Sequence, residues 1–292
     1  MEGPTSHFWF SQRLRLHYVD WGNEGAPPLL LIHGGRDHCR NWDWVAQRLR
    51  DRYHIIAPDL RGHGDSAWAV GGGYDVPGHV YDIAQLVHQW NKGPVTIIAH
   101  SLGSAVALSY TGAFSKNVSK LVAIEGFGPP PEIAEQLETQ TLDERVRQWV
   151  KTRRENSGRS PRKYASIEDA IKRMHEENPH LNAEQARHLT IHGAHQNEDG
   201  TYSWKFDNYS RFSGGLGVGG FSQDDIHQLW RSITCPVLLV RGMESWASDP
   251  VVDGRIQHFQ NARLVNFEGA GHWVHHDKLD KFLAETEAFL AE

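Results

Sequence analysis

Residues Val95 to Ala105 read Val-Thr-Ile-Ile-Ala-His-Ser-Leu-Gly-Ser-Ala, a β-branched run that drives into a small-residue turn and then into an apolar helix. The turn puts Ser101 at its tip. A serine hydroxyl is a weak nucleophile and must be held exposed, beside a base and beside hydrogen-bond donors. A sharp strand-to-helix turn does this: it lifts Oγ off the sheet and aims the first helical amide at a developing oxyanion. Such a turn needs small residues two positions either side of the serine, here Ala99 and Gly103. The motif more often carries glycine at the first of these.

Late in the chain, Arg263 to His272 read Arg-Leu-Val-Asn-Phe-Glu-Gly-Ala-Gly-His, a strand that breaks into a glycine loop ending in histidine. An imidazole, with an ordinary pKa of about 6.5, can take the Ser101 proton near neutral pH and return it to a leaving group. The strand-then-loop context selects His272 over its competitors. His100 precedes the serine and is expected to point away from its face, and His275 and His276 fall at a helix start. Residues Leu29 to Gly35 read Leu-Leu-Leu-Ile-His-Gly-Gly, a buried strand with a loop at its carboxyl end. Glycines there let a backbone amide approach a reacting atom. The oxyanion donors are therefore expected to be the amides of Leu102 and Gly35, with His33 bonding backbone in the loop. Arg36, Asp37 and His38 follow directly and are candidates for the pocket lining, as is Trp273 beside His272.

A second loop, Asp59 to Ser66, has the form Asp-x-x-Gly-x-Gly-x-Ser. Together with the His-Gly-Gly loop, the serine turn and the late Gly-x-Gly-His, it makes the chain resemble the α/β-hydrolase superfamily, in the order nucleophile, acid, histidine. The likeness covers nearly everything outside a middle insert and leans toward small bacterial esterases and serine-hydrolase-like proteins with a helical cap. It implies an α/β fold with a doubly wound, mostly parallel, eight-stranded-type sheet.

The acid is the least defined member. The superfamily places it about three residues past the glycine that follows the penultimate strand, where this chain has Ser245, with Glu244 adjacent and Asp249 further on. Some branches carry it instead at the end of the preceding core strand, here Leu121-Val122-Ala123-Ile124-Glu125. Glu125 is the first candidate and Glu244 the alternative. The implied activity is carboxylic ester hydrolysis of small or medium acyl substrates through an acyl-enzyme on Ser101, with no cofactor. A thioesterase, acyltransferase or C–C hydrolase would use the same apparatus. A non-catalytic binding protein on the same fold is the other class. Dehalogenases and epoxide hydrolases are disfavoured, because they carry aspartate at the Ser101 position.

The chain has 292 residues, 39% hydrophobic and 23% charged, enough for a large core or a core with an insert. A net charge of -6 argues against non-specific nucleic-acid or anionic-membrane binding. Two cysteines, Cys39 and Cys235, rule out a disulfide scaffold, and neither they nor the histidines show metal-ligand spacing. Residues 1–10 lack the basic-then-apolar pattern of a signal peptide, and no apolar run approaches the roughly 20 residues that span a bilayer. These features lead to the expectation of a cytoplasmic monomer or homodimer acting on a small-molecule ester.

Buried strands are predicted near 14–20, 28–33, 53–57, 94–100, 118–124, 236–241 and 263–268, with helices between them. The first alternates, which suits an antiparallel edge. Residues 1–127 and 231–292 are read as the core, and 128–230 as a helical cap. Capping pairs Ser166/Asp169, Asn182/Gln185 and Ser222/Asp225 open helices in the insert, and Ser213–Gly220 reads as a glycine-rich loop.

Overall fold

Central strands buried on both faces organise the molecule. The computed structural model describes residues 3–210 and 220–292. Its strands are β1 (Thr5–Ser11), β2 (Leu14–Asp20), β3 (Pro28–Ile32), β4 (His54–Pro58), β5 (Val95–His100), β6 (Val118–Ile124), β7 (Ala194–Gln196), β8 (Tyr202–Trp204), β9 (Val237–Gly242) and β10 (Ala262–Phe267). Eight form one sheet in the order β1-β2-β4-β3-β5-β6-β9-β10, and β7 and β8 form a separate ribbon. From β4 to β10 every pairing in the sheet is parallel, whereas β2 runs antiparallel to both β1 and β4.

Successive side chains of a strand point to opposite faces, so each core strand feeds two cores. Leu30, Ile32, Ile97, Ala99, Leu121 and Ala123 face one side, packed by Ile83 and Leu86 of α2 (Val76–Trp90) and Val106 and Leu108 of α3 (Leu102–Ala113). Leu29, Leu31, Ile98, Val122 and Ile124 face the other. There they meet Val45 and Leu49 of α1 (Asp43–Leu49), Val274 of α9 (Val274–Asp277) and Phe282 and Phe289 of α10 (Leu279–Ala291). Each fully buried Leu or Ile contributes roughly 1.5–3 kcal/mol. The loops at the carboxyl ends of β3, β5, β6 and β10 then meet along one edge, where open α/β sheets bind ligands.

Between β6 and β9 lie α4 (Pro131–Glu138), α5 (Leu142–Ser157), α6 (Ile167–Glu177), α7 (Ala183–Gly193), the β7–β8 ribbon and α8 (Gln223–Arg231). Reciprocal capping boxes open α6, α7 and α8 at Ser166/Asp169, Asn182/Gln185 and Ser222/Asp225, and a further one opens α5 at Thr141/Glu144. Helix α7 rests on the sheet's carboxyl edge. His38 Nε2 lies 2.9 Å from the Leu189 carbonyl, and Gln185 Nε2 donates to the His276 carbonyl at 3.1 Å.

Three expectations need correction or restriction. Strand β1 was not anticipated. It takes the sheet edge, so β2, expected there, is internal. Helix α8, assigned to the insert, packs on α3 and lends Trp230 to the core cluster, so the core resumes before residue 231. All but the last residue of the expected 213–220 loop falls outside the described residues.

Candidate active site

Ser101 closes β5 and opens α3 with φ 52° and ψ -117°, a left-handed backbone that ordinary residues adopt only under constraint. The constraint is visible in its neighbours. The Ser101 amide donates to the Ile124 carbonyl at 2.7 Å. Ser104 Oγ donates to the carbonyls of Ala99 and Ile124 at 2.7 and 2.9 Å and accepts from the Ile124 amide at 2.9 Å. The ends of β5 and β6 are thereby stitched around the turn. A Cβ on Gly103 would sit 2.5 Å from the carbonyl oxygens of Ile32 and His33, so α3 approaches β3 as only glycine allows. Ala99, in place of the more usual glycine, is fully buried.

The structure brings Ser101, His272 and Glu125 into one hydrogen-bonded chain. His272 Nε2 lies 2.9 Å from Ser101 Oγ, and His272 Nδ1 lies 3.1 Å from Glu125 Oε2. With Nδ1–H donating to the carboxylate, Nε2 is left free to accept from the serine hydroxyl. The Glu125 side chain is fully buried. Its Oε1 accepts from the Gly242 amide at 2.7 Å, and its Oε2 also accepts from Ser245 Oγ. Glu125 too has a left-handed backbone, at φ 58°. Glu244 is turned elsewhere, exposed and 3.6 Å from His180 Nε2. Asp249 faces Arg241 at 3.7 Å and Asn266 at 3.3 Å.

Histidine His100 is placed differently from the expectation that it points away from the serine's face. It is buried under the site, with Nε2 2.9 Å from the His272 carbonyl and its ring 4.7 Å from the His272 ring. On the other side the exposed indole of Trp246 lies 5.1 Å from the same imidazole. Sequence reasoning missed His100, Ser104 and Ser245 as supports. Only their adjacency to Ser101 or to Gly242 hinted at them.

Leu102 is the first residue of α3, where an amide has no intrahelical acceptor. Gly35 lies beside it: a Cβ on Gly35 would be 3.9 Å from Leu102 Cδ2. His33 Nδ1 bonds the Gly34 carbonyl at 2.6 Å and Nε2 accepts from the Leu60 amide at 2.9 Å, which fixes the loop. Arg36, Asp37 and His38 line a narrow cleft together with Trp273, and Leu189 of α7 and Phe206 close it from the insert. Asp59 ties the second loop together, accepting from His17 Nδ1 and the Cys39 amide at 2.7 Å and the Asp65 amide at 2.9 Å. Burial works to raise its pKa, but His17, His33 and the Cys39 amide together outweigh that and hold the carboxyl well below the usual range.

Two clusters among the described residues place potential metal-ligating atoms within 4.8 Å of one another: His17/Cys39/Asp59 and Asp43/His188/His192. In the first, burial holds the Cys39 thiol far from ionisation and Asp59 is already bonded on both oxygens. In the second, the Arg40 guanidinium occupies Asp43, with its nearest nitrogen at 2.6 Å. Neither arrangement offers the open thiolate or carboxylate that a cation would need.

Burial pushes His33 and His276 down to about 3. It also pushes His100 and His275 well below the ordinary value, and neighbouring imidazoles add to the effect. Above pH 6.5 these groups are neutral folded or unfolded. Below it the unfolded chain binds protons that the folded chain cannot, so stability falls as pH drops from about 6.5 toward 3. His33 and His276 alone cost about 3 kcal/mol per pH unit in that window. Asp37 and Asp277, whose pKa values burial raises, act in the opposite direction but are two groups against these four histidines. The urea midpoint is expected to fall steeply between pH 7 and pH 5; an unchanged midpoint would refute this.

The chain belongs to the α/β hydrolase family, whose model matches residues 29–285. It is 24% identical over 282 residues to esterase Rv0045c of Mycobacterium tuberculosis, covering 95% of this chain and 87% of that one. It is 36% identical to lipase LipV of the same organism, but over 110 residues only, 38% of this chain and 41% of the lipase. Among solved structures, E-2-(acetamidomethylene)succinate hydrolase superposes with a TM-score of 0.81 at 23% identity, covering 99% of this chain and all of that one. At that identity the likeness speaks for the fold alone. No helix among the described residues is long and apolar enough to cross a membrane.

Proposed function

We propose that the protein is a serine hydrolase that cleaves carboxylic esters of small or medium acyl groups. The observation that carries this reading is the unbroken contact from Ser101 Oγ through His272 to Glu125, at 2.9 and 3.1 Å. In this reading His272 Nε2 removes the hydroxyl proton as Ser101 Oγ attacks the ester carbonyl. Glu125 holds the imidazole in the right tautomer and stabilises the imidazolium. The amides of Leu102 and Gly35 receive the oxyanion. The imidazolium then protonates the leaving alcohol, leaving an acyl-enzyme. Water, deprotonated by His272, attacks the acyl carbon, and the acid product leaves as Ser101 recovers its proton. The esterase and lipase names of relatives agree with the reaction class.

The test is hydrolysis of p-nitrophenyl esters from acetate to decanoate, with fluorophosphonate labelling mapped by mass spectrometry. Turnover with labelling at Ser101 supports the reading. No turnover and no labelling would replace it with a binding protein on the same fold.

A further inference from the structure

We propose that Ser245 is a positioning residue that seats the Glu125 carboxylate against His272, an inference that rests on the serine-hydrolase reading above. Glu125 alone does not hold its own geometry. Its backbone lies in the left-handed region at φ 58°, and its side chain leaves β6 toward a turn belonging to another strand. That turn, at the end of β9, supplies two donors. The Gly242 amide fixes Oε1 at 2.7 Å, and Ser245 Oγ donates to Oε2, the same oxygen that meets His272 Nδ1.

Two donors on different oxygens fix both the position and the rotation of the carboxylate plane; one donor leaves the plane free to turn. Ser245 is itself fixed. Its Oγ accepts from the Ala247 amide at 3.2 Å, and the Ala247 carbonyl accepts from Arg241 Nε at 2.8 Å. Its hydroxyl proton is thereby left to Glu125. The next residue, Trp246, packs its indole 5.1 Å from the His272 ring, so one turn supports both halves of the acid–base pair. The hydrogen bonds of Ser245 among the described residues run to Glu125, to the Ala247 amide and to the Gly242 carbonyl, with none to Ser101. Its effect should therefore fall on the chemical step and spare substrate binding.

Ser245→Ala is expected to lower kcat on a p-nitrophenyl ester about tenfold, the scale of losing one hydrogen bond to a charged group, with KM nearly unchanged. Ser245→Thr, which keeps the hydroxyl, should restore most of the loss. In the proton NMR spectrum of the resting enzyme, the downfield resonance of His272 Nδ1–H should broaden or vanish in Ser245→Ala and return in Ser245→Thr. A second variant uses the shared contact on Oε2. An aspartate at 245 places a carboxylate where the Ser245 hydroxyl now meets that oxygen. Glu125→Ala/Ser245→Asp should therefore be at least tenfold more active than Glu125→Ala. A Ser245→Ala enzyme within twofold of wild type with its downfield resonance intact overturns the assignment, as does a double variant no better than Glu125→Ala. The resonance needs no turnover. An inactive wild type would thus defeat the hydrolase reading while the NMR comparison still tests the role of Ser245.

Discussion

Ser101→Ala is expected to lower kcat by about 10⁵- to 10⁶-fold and to abolish fluorophosphonate labelling, while the thermal midpoint stays close to that of wild type. The size follows from the site. His272 Nε2 has its acceptor contact on Ser101 Oγ at 2.9 Å, so removing that oxygen removes the nucleophile and leaves the base without a proton to take. The fold should tolerate the change. The supports of the turn run through the Ser101 amide and carbonyl and through Ser104, not through the Ser101 side chain. Residual turnover would come from binding and from the amides of Leu102 and Gly35. A variant that retained more than about a hundredth of wild-type kcat would remove Ser101 from the role assigned to it.

Glu125→Gln should cost about 10³- to 10⁴-fold in kcat, and Glu244→Gln less than about twofold. The asymmetry comes from donor counting. The Gly242 amide requires an acceptor at Oε1, so a glutamine there presents its oxygen to Gly242 and its amide nitrogen to Ser245 and His272. Two donors then face each other across the His272 contact. The imidazole relieves this by moving its proton to Nε2, and in that tautomer it cannot accept from Ser101. Glu244 is exposed and its carboxylate faces His180 rather than His272, so its charge has no path into the relay. Comparable losses in the two variants would mean that the acid is not the one the geometry selects.

The parts of this site legible in the sequence are those whose signal is local. Ser101 and His272 sit in strand–turn contexts written within ten residues, and the capping boxes of α6, α7 and α8 need only four residues each. The choice between Glu125 and Glu244 was not local, because both lie near a glycine at the end of an apolar strand. It is decided by which carboxyl points across from β6 to the loop after β10. The same holds for Ser245, whose partner is 120 residues away in sequence. The placement of His100 is hidden for a related reason: its strand position gives its face, but not the loop that folds back over it. Strand β1 escaped notice because most of its residues are exposed, leaving little apolar periodicity. The apolar stripe of α8 does not say whether the insert or the core will cover it.

Both ends of the relay, Ser101 and Glu125, rest on backbone that glycine would adopt at lower cost. A left-handed conformation disfavours an L-residue by about 1–2 kcal/mol. Glycine at Ser101 would thus relax the chain while destroying the chemistry proposed for it, whereas glycine at Glu125 would also leave the buried Gly242 amide without its acceptor. In a laboratory evolution experiment that rewards heat resistance alone, the Ser101 codon is predicted to drift toward glycine. A thermostabilised descendant of this protein must therefore be selected for turnover and for folding at once.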